Sequence, residues 1–184
     1  MIAELTQALL LSALTVPRPF GDTEPTEARA ARLEVIAEAI ALESWSVEGW
    51  RWSTHDLAWL VYATTVEESG GFRLDVHSGE RTGDGSRARC LGQLHQSSLV
   101  PRSEWLSSVG TGQDATRVCI RGVARVYAAA SACVGSGPLT AYKVARMAAS
   151  YGTGRTCRPD GLPFATRRGW LWAEHGRGWV GLAG

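Results

Sequence analysis

The chain has 184 residues and a mass of 19.8 kDa, which fits one domain comfortably and two only if both are small. With 45% hydrophobic and 20% charged residues it is not a disordered chain, and its longest strongly apolar run, residues 8–16, falls far short of the roughly 20 residues a membrane span needs. A net charge of +1 argues against a dedicated nucleic-acid binder. The charge is unevenly spread, however. Residues 1–89 hold 8 Arg against 14 Asp or Glu, and residues 90–184 hold 11 Lys or Arg against 4 acids. A basic second half suits an anionic polymer, and equally a solvated face.

In chain order, residues 2–14 predict a short helix stopped by Pro17 and Pro19. Glu4 is the only charge before Arg18, so no basic segment marks a secretory leader; work outside the cytoplasm would then need another route of export. From Thr26 to Glu43, Leu33, Ile36, Ala37, Ile40 and Ala41 recur at helical spacing. The segment WSVEGWRW (45–52) interrupts the pattern. Ser53, with Asp56 three residues on, opens another helix in the manner of a capping box. That helix is expected to end at Glu68 before Ser69-Gly70-Gly71. Leu57, Leu60, Val61, Thr64 and Glu68 share one face, and Glu67, about 100° away, is expected in solvent.

Residues 70–97 are rich in glycine, with room for a short hairpin at most; long loops in a compact domain are usually functional. Residues 114–132 give the strongest helical register, through Ala115, Val118, Cys119, Gly122, Val123, Val126, Tyr127 and Ala130. A last helix runs from Leu139 to about Ser150, and the remainder turns to Gly, Arg and Trp.

Four cysteines occur without a CxxC pair or a histidine at zinc-ligand spacing, so no metal site is expected. Cys119 and Cys133 on one helix would stand roughly 21 Å apart, beyond the approximately 7 Å Cα limit of a disulfide. The preferred pairs are Cys133 with Cys157 and Cys90 with Cys119, with reduced buried thiols as the alternative. His55, His77, His95 and His175 form no ligand spacing and read as surface or loop residues. Trp45, Trp50, Trp52 and Trp59 read mostly as core, with sugar stacking open to one of them.

Glu68 carries the chemical argument. A carboxyl on the apolar face of a helix loses hydration, which favours its neutral acid form. Such an acid can protonate the oxygen of a leaving group, as cleavage between sugars requires. The plain alternative is a helix-end carboxylate in water.

The segments VEESGGF (66–72), CLGQL (90–94) and AASYGTG (148–154) follow in that order. Together they resemble the lysozyme-like superfamily of soluble lytic transglycosylases and goose-type lysozymes, over roughly residues 53–157. That family carries a Glu-Ser pair ending a helix, a Gly-Leu-Met-Gln segment and an Ala-Tyr-Asn-Ala-Gly segment. GDGSRARCLGQLH (83–95) also aligns with the goose-type loop, placing Asp84 where those enzymes carry an acid that assists water. Here Cys90 replaces a Gly, and His95 stands where goose-type enzymes often have Asp.

The resemblance implies cleavage of the β-1,4 bond between N-acetylmuramic acid and N-acetylglucosamine in bacterial peptidoglycan. Glu68 would be general acid and then base, Ser69 would orient the carboxylate or sugar, and Gln93 would meet an N-acetyl group. Tyr151 would line the cleft. Attack by the muramic C6 hydroxyl, as in lytic transglycosylases, is the leading expectation; a hydrolytic muramidase using Asp84 is the alternative. A third is an inactive virion or wall-binding structural protein. No cofactor is implied, and the implied partners are peptidoglycan strands and, for a phage-encoded chain, tail or virion proteins, without nucleic acid. The implied place of work is a phage virion or the cell envelope.

The expected architecture is mainly α, a lysozyme-like helical domain with a Gly-rich loop or small hairpin lobe beside a cleft. Residues 1–24 would be an arm or docking helix, 25–157 the catalytic domain, and 158–184 a packed tail.

Overall fold

Apolar residues at three- and four-residue spacing become buried stripes, and these stripes hold the protein together. The computed structural model describes residues 1–153, which are mainly α-helical. Extended pairing among them is limited to two isolated antiparallel bridges, Gly83 with Ala88 and Arg89 with Leu94. No helix among the described residues is long and apolar enough to cross a membrane.

Helix α1 (Ile2–Thr15) is docked rather than a free arm. Leu5, Leu9 and Ala13 are buried in the common core, and the Ser12 hydroxyl donates to the Tyr62 hydroxyl at 3.0 Å. Burying Leu5 or Leu9 contributes roughly 1.5–3 kcal/mol each before ordering entropy is counted. Helix α2 (Thr26–Ser46) packs between α1 and the later helix α6 (Gln113–Ser131). Its stripe of Leu33, Ile36, Ala37, Ile40 and Ala41 is buried throughout.

Helix α3 (Thr54–Glu68) starts where the capping pattern predicts. The Ser53 hydroxyl oxygen accepts the Asp56 N–H at 3.1 Å and its proton goes to the Asp56 carboxylate at 2.7 Å, satisfying a free donor of the first turn. Two short helices, α4 (Leu74–Ser78) and α5 (Arg102–Ser107), are too brief to show a period and were not expected from sequence. Helix α6 buries Cys119, Gly122, Val123, Tyr127 and Ala130, and also Ile120 and Ala124, whereas Ala115, Val118 and Val126 are only partly covered. Helix α7 (Ala141–Thr153) packs on α6.

Two ionic clusters, each centred on a buried carboxylate, tie these helices. Glu43 of α2, 1% exposed, accepts from Arg117 and Arg121 of α6, each at 2.7 Å. Burial pushes its carboxyl up, but the hydrogen bonds from Arg121 and Arg117 outweigh this and hold it below the ordinary value. Arg32 grips both oxygens of Glu24 at 2.8 and 2.7 Å, donates to the Phe72 carbonyl at 2.8 Å, and faces His77 Nδ1 at 3.3 Å. This cluster fastens the linker before α2 to the turn after α3.

His77 is therefore a core residue and not the surface or loop residue the sequence suggests. Its Nε2 lies 2.8 Å from the Thr116 hydroxyl, whose own proton goes to the Gly112 carbonyl. Nε2 must then carry the hydrogen, leaving Nδ1 to accept from Arg32. Burial and the Arg32 cation push its pKa down to about 3. Trp45 also departs from expectation, being 46% exposed, while Trp59 is buried.

Candidate functional site

The end of α3 is built by one hydroxyl. Ser69 Oγ donates to the Thr65 carbonyl at 2.5 Å and accepts the Phe72 N–H at 2.8 Å. The Gly71 N–H returns to the Val66 carbonyl at 2.8 Å, with Gly70 and Gly71 at φ 63° and 86°, the left-handed stop of a helix. Ser69 is 1% exposed and its single proton is committed. Its role is to shape the turn, so the expected contact with carboxylate or sugar is corrected. Glu68 and Glu67 on this last turn are both half-buried; Glu67 is not the fully solvated neighbour of the sequence reading.

The loop 83–95 folds into two tight antiparallel steps. Gly83 and Ala88 exchange two hydrogen bonds at 3.1 Å, and Arg89 and Leu94 exchange two at 3.1 and 2.8 Å. Asp84, Ser86, Cys90 and Gln93 all adopt positive φ, an uncommon and costly state for residues with a Cβ. Side chains enforce it. Cys90 is joined to Cys119 of α6, with Cα atoms 6.1 Å apart. Gln93 Nε2 donates to the Cys90 carbonyl at 2.9 Å, and a Cβ on Gly83 would collide with the Gln93 side-chain oxygen Oε1. From α5, Trp105 Nε1 donates to the Leu94 carbonyl at 2.9 Å, under the Arg89 guanidinium 4.2 Å from its ring centre. Cys133 is disulfide-bonded too. Cys157, its expected partner, lies outside the described residues, as do His175 and the tail 158–184.

A chain of hydroxyls and rings then links three helices to this loop. The Thr64 proton goes to the Leu60 carbonyl at 2.9 Å, so the Tyr127 hydroxyl, 2.6 Å away, donates to Thr64. The Tyr127 ring stacks on Tyr151, with centroids 5.3 Å apart and planes 9° from parallel. The Tyr151 hydroxyl donates a short hydrogen bond to the Gly92 carbonyl. Gly92 has no alternative residue here, because a Cβ would collide with Val123 and stand 2.9 Å from the Tyr151 oxygen. Glu68 follows Thr64 by four residues on the same face of α3, which sets their Cβ atoms about 6 Å apart.

Beside this junction lies a groove of about 120 Å³, with room for several waters or one small polar group. Gln93 and His95 line it from the loop, Val126 and Ala130 from α6, and Ser150 and Tyr151 from α7. The structure thus brings Gln93 and Tyr151 together. Glu68 is not among the described lining residues; it stands next to the junction through α3. Asp84 does not line the groove either. Its carboxylate, 67% exposed, meets His95 Nε2 at 3.1 Å.

Sequence reasoning passed over His95, Tyr127 and Trp105 as site residues. His95 was visible only as a departure from the family pattern, and the hydroxyl of Tyr127 was hidden within an apolar register. Among the described residues, no group of three or more His, Cys, Asp or Glu could hold a metal ion. Compared with known protein families, curated proteins and solved structures, the chain matches none.

Proposed function

We propose that the protein cleaves the β-1,4 bond between N-acetylmuramic acid and N-acetylglucosamine in peptidoglycan, on a lysozyme-like helical domain. One observation carries the reading. A half-buried carboxyl, Glu68, ends α3 one turn beyond Thr64, where the Thr64–Tyr127–Tyr151–Gly92 chain meets the groove containing Gln93. Partial burial next to that junction is an environment in which a carboxylic acid can hand a proton to a glycosidic oxygen. Glu68 would protonate the leaving oxygen and, once ionised, take the proton from the muramic C6 hydroxyl as that oxygen closes an anhydro ring. Gln93 and Tyr151 would hold the neighbouring sugar, and no cofactor is used.

This lytic transglycosylase-like route is supported by Asp84, which is exposed and turned toward His95 instead of lining the groove. The hydrolytic reading would need Asp84 to reach water at the cleavage point. The natural setting of such an enzyme is the cell envelope or a phage virion that must breach it.

Replacing Glu68 tests the proposal. E68Q should lower clearing of a peptidoglycan suspension by about 10²–10⁴-fold with unchanged thermal unfolding. Mass spectrometry of the products should show anhydro-muropeptides. Reducing muropeptides alone would move the reaction to hydrolysis, and lysis by E68Q at the wild-type rate would refute the enzymatic reading. Binding of peptidoglycan by a wild-type protein that never lyses it would favour a structural, wall-binding role.

A further inference from the structure

We infer that His95, not Asp84, is the substrate-contacting group on the loop side of the groove, and that Asp84 is its positioning residue. The inference rests on the glycan-cleaving reading and adds a binding role that the family pattern does not supply, since His95 departs from it. Three observations carry it. His95 lines the groove together with Gln93 and Tyr151, whereas Asp84 does not. Asp84 Oδ2 is 3.1 Å from His95 Nε2, so one ring nitrogen is engaged by a carboxylate that is not among the groove-lining residues. And Asp84 holds a left-handed backbone, φ 48°, within a loop whose fold is fastened by the Cys90–Cys119 bond and by Gln93.

The chemistry follows from the ring. An imidazole whose Nε2–H is given to a carboxylate keeps its tautomer fixed and presents the Nδ1 lone pair as an acceptor. Carboxylate–imidazole pairs orient rings in this way at many sites. A ring half-exposed, at 47%, would otherwise turn freely about its side-chain torsions. An oriented acceptor on the wall of a groove that mixes polar side chains with Leu94, Val126 and Ala130 suits a hydroxyl or amide N–H of an N-acetylated sugar. The Gln93 amide next to it can donate or accept as the sugar requires.

Equilibrium binding in the E68Q background separates this from turnover. The probe is a soluble tetrasaccharide of alternating N-acetylglucosamine and N-acetylmuramic acid, titrated calorimetrically. H95A should weaken binding about threefold to tenfold, the loss of one hydrogen bond to ligand. D84A should weaken it by no more than H95A, and the double variant should bind like H95A alone, because Asp84 acts only through the ring. Nitrogen chemical shifts of His95 should report an Nε2–H tautomer that is lost in D84A, a change that a general loss of structure would not single out.

Unaltered binding in H95A would overturn the inference while leaving the glycan reading intact. So would equal losses from D84A with and without His95, which would make Asp84 act independently. If E68Q binds no tetrasaccharide and the wild-type protein clears no peptidoglycan, the functional proposal itself falls, and this inference with it.

Discussion

The Arg32 cluster and the Asp84–His95 pair each contain a carboxylate and a histidine, yet their surroundings differ. Glu24, Arg32 and His77 are buried, and their contacts join the linker, α2, α4 and α6. Asp84 and His95 are exposed on a loop, and one ring nitrogen is left with work to do. Buried polar groups must satisfy one another or cost stability, so they become fasteners. Exposed groups on a stiff loop can wait for a ligand. The contrast says that a histidine's environment, more than its sequence neighbours, decides between these fates.

That contrast can be broken at either end. In the buried cluster the largest effect is expected from R32M, which strands the Glu24 carboxylate in the interior. Loss of one partner of a buried pair costs about 3–5 kcal/mol, read as a fall in the urea midpoint. A change below about 1 kcal/mol would mean that the cluster is not a fastener. H95A on the loop should leave that midpoint nearly unmoved while weakening sugar binding.

The crosslink between the two regions comes next. The double variant C90A/C119A should lose about 3–4 kcal/mol, from the 29-residue separation that the bond closes. Amide exchange of residues 83–94 should accelerate more than that of α2. Uniform acceleration would show that loop and core unfold as one unit.

The smallest effect is a slope. His77 stays neutral in the folded protein down to about pH 3, whereas the unfolded chain takes up its proton below about 6.5. Its contribution is fully present above pH 6.5 and is lost as pH falls toward 3, at about 1.4 kcal/mol per unit. Denaturant midpoints between pH 6.5 and 5, above the main carboxylate range, should show the slope, and H77Q should flatten it. A flat wild-type profile would contradict the buried neutral ring.

Much of the helical architecture was legible because it is local. The residues 2–14, 26–43 and 53–68 patterns anticipate α1, α2 and α3 closely, and the Ser53–Asp56 cap is formed as read. The short α4 and α5 were not, since five or six residues display no period. The site was legible in part. Gln93 and Tyr151 meet at one groove, but through Gly92 and a ring stack no local pattern encodes. The ligand-facing role of Ser69 came from the family resemblance alone, which matches residue type and does not register burial. Arg32 with His77, 45 residues apart, and Thr64 with Tyr127, 63 apart, are pairings that only the folded chain reveals.

The left-handed residues of the 83–93 loop bear on how scanning mutagenesis there should be interpreted. At Asp84, Ser86, Cys90 and Gln93 a glycine would relax the backbone by about 1–2 kcal/mol while deleting, in turn, the contact to His95, a hydrogen bond from Thr82, the disulfide and the bond to the Cys90 carbonyl. The two effects have opposite sign and partly cancel in any melting temperature. Mild phenotypes at these four codons would thus conceal the side chains' importance, and alanine, which keeps the unfavourable torsion, is the replacement that exposes it.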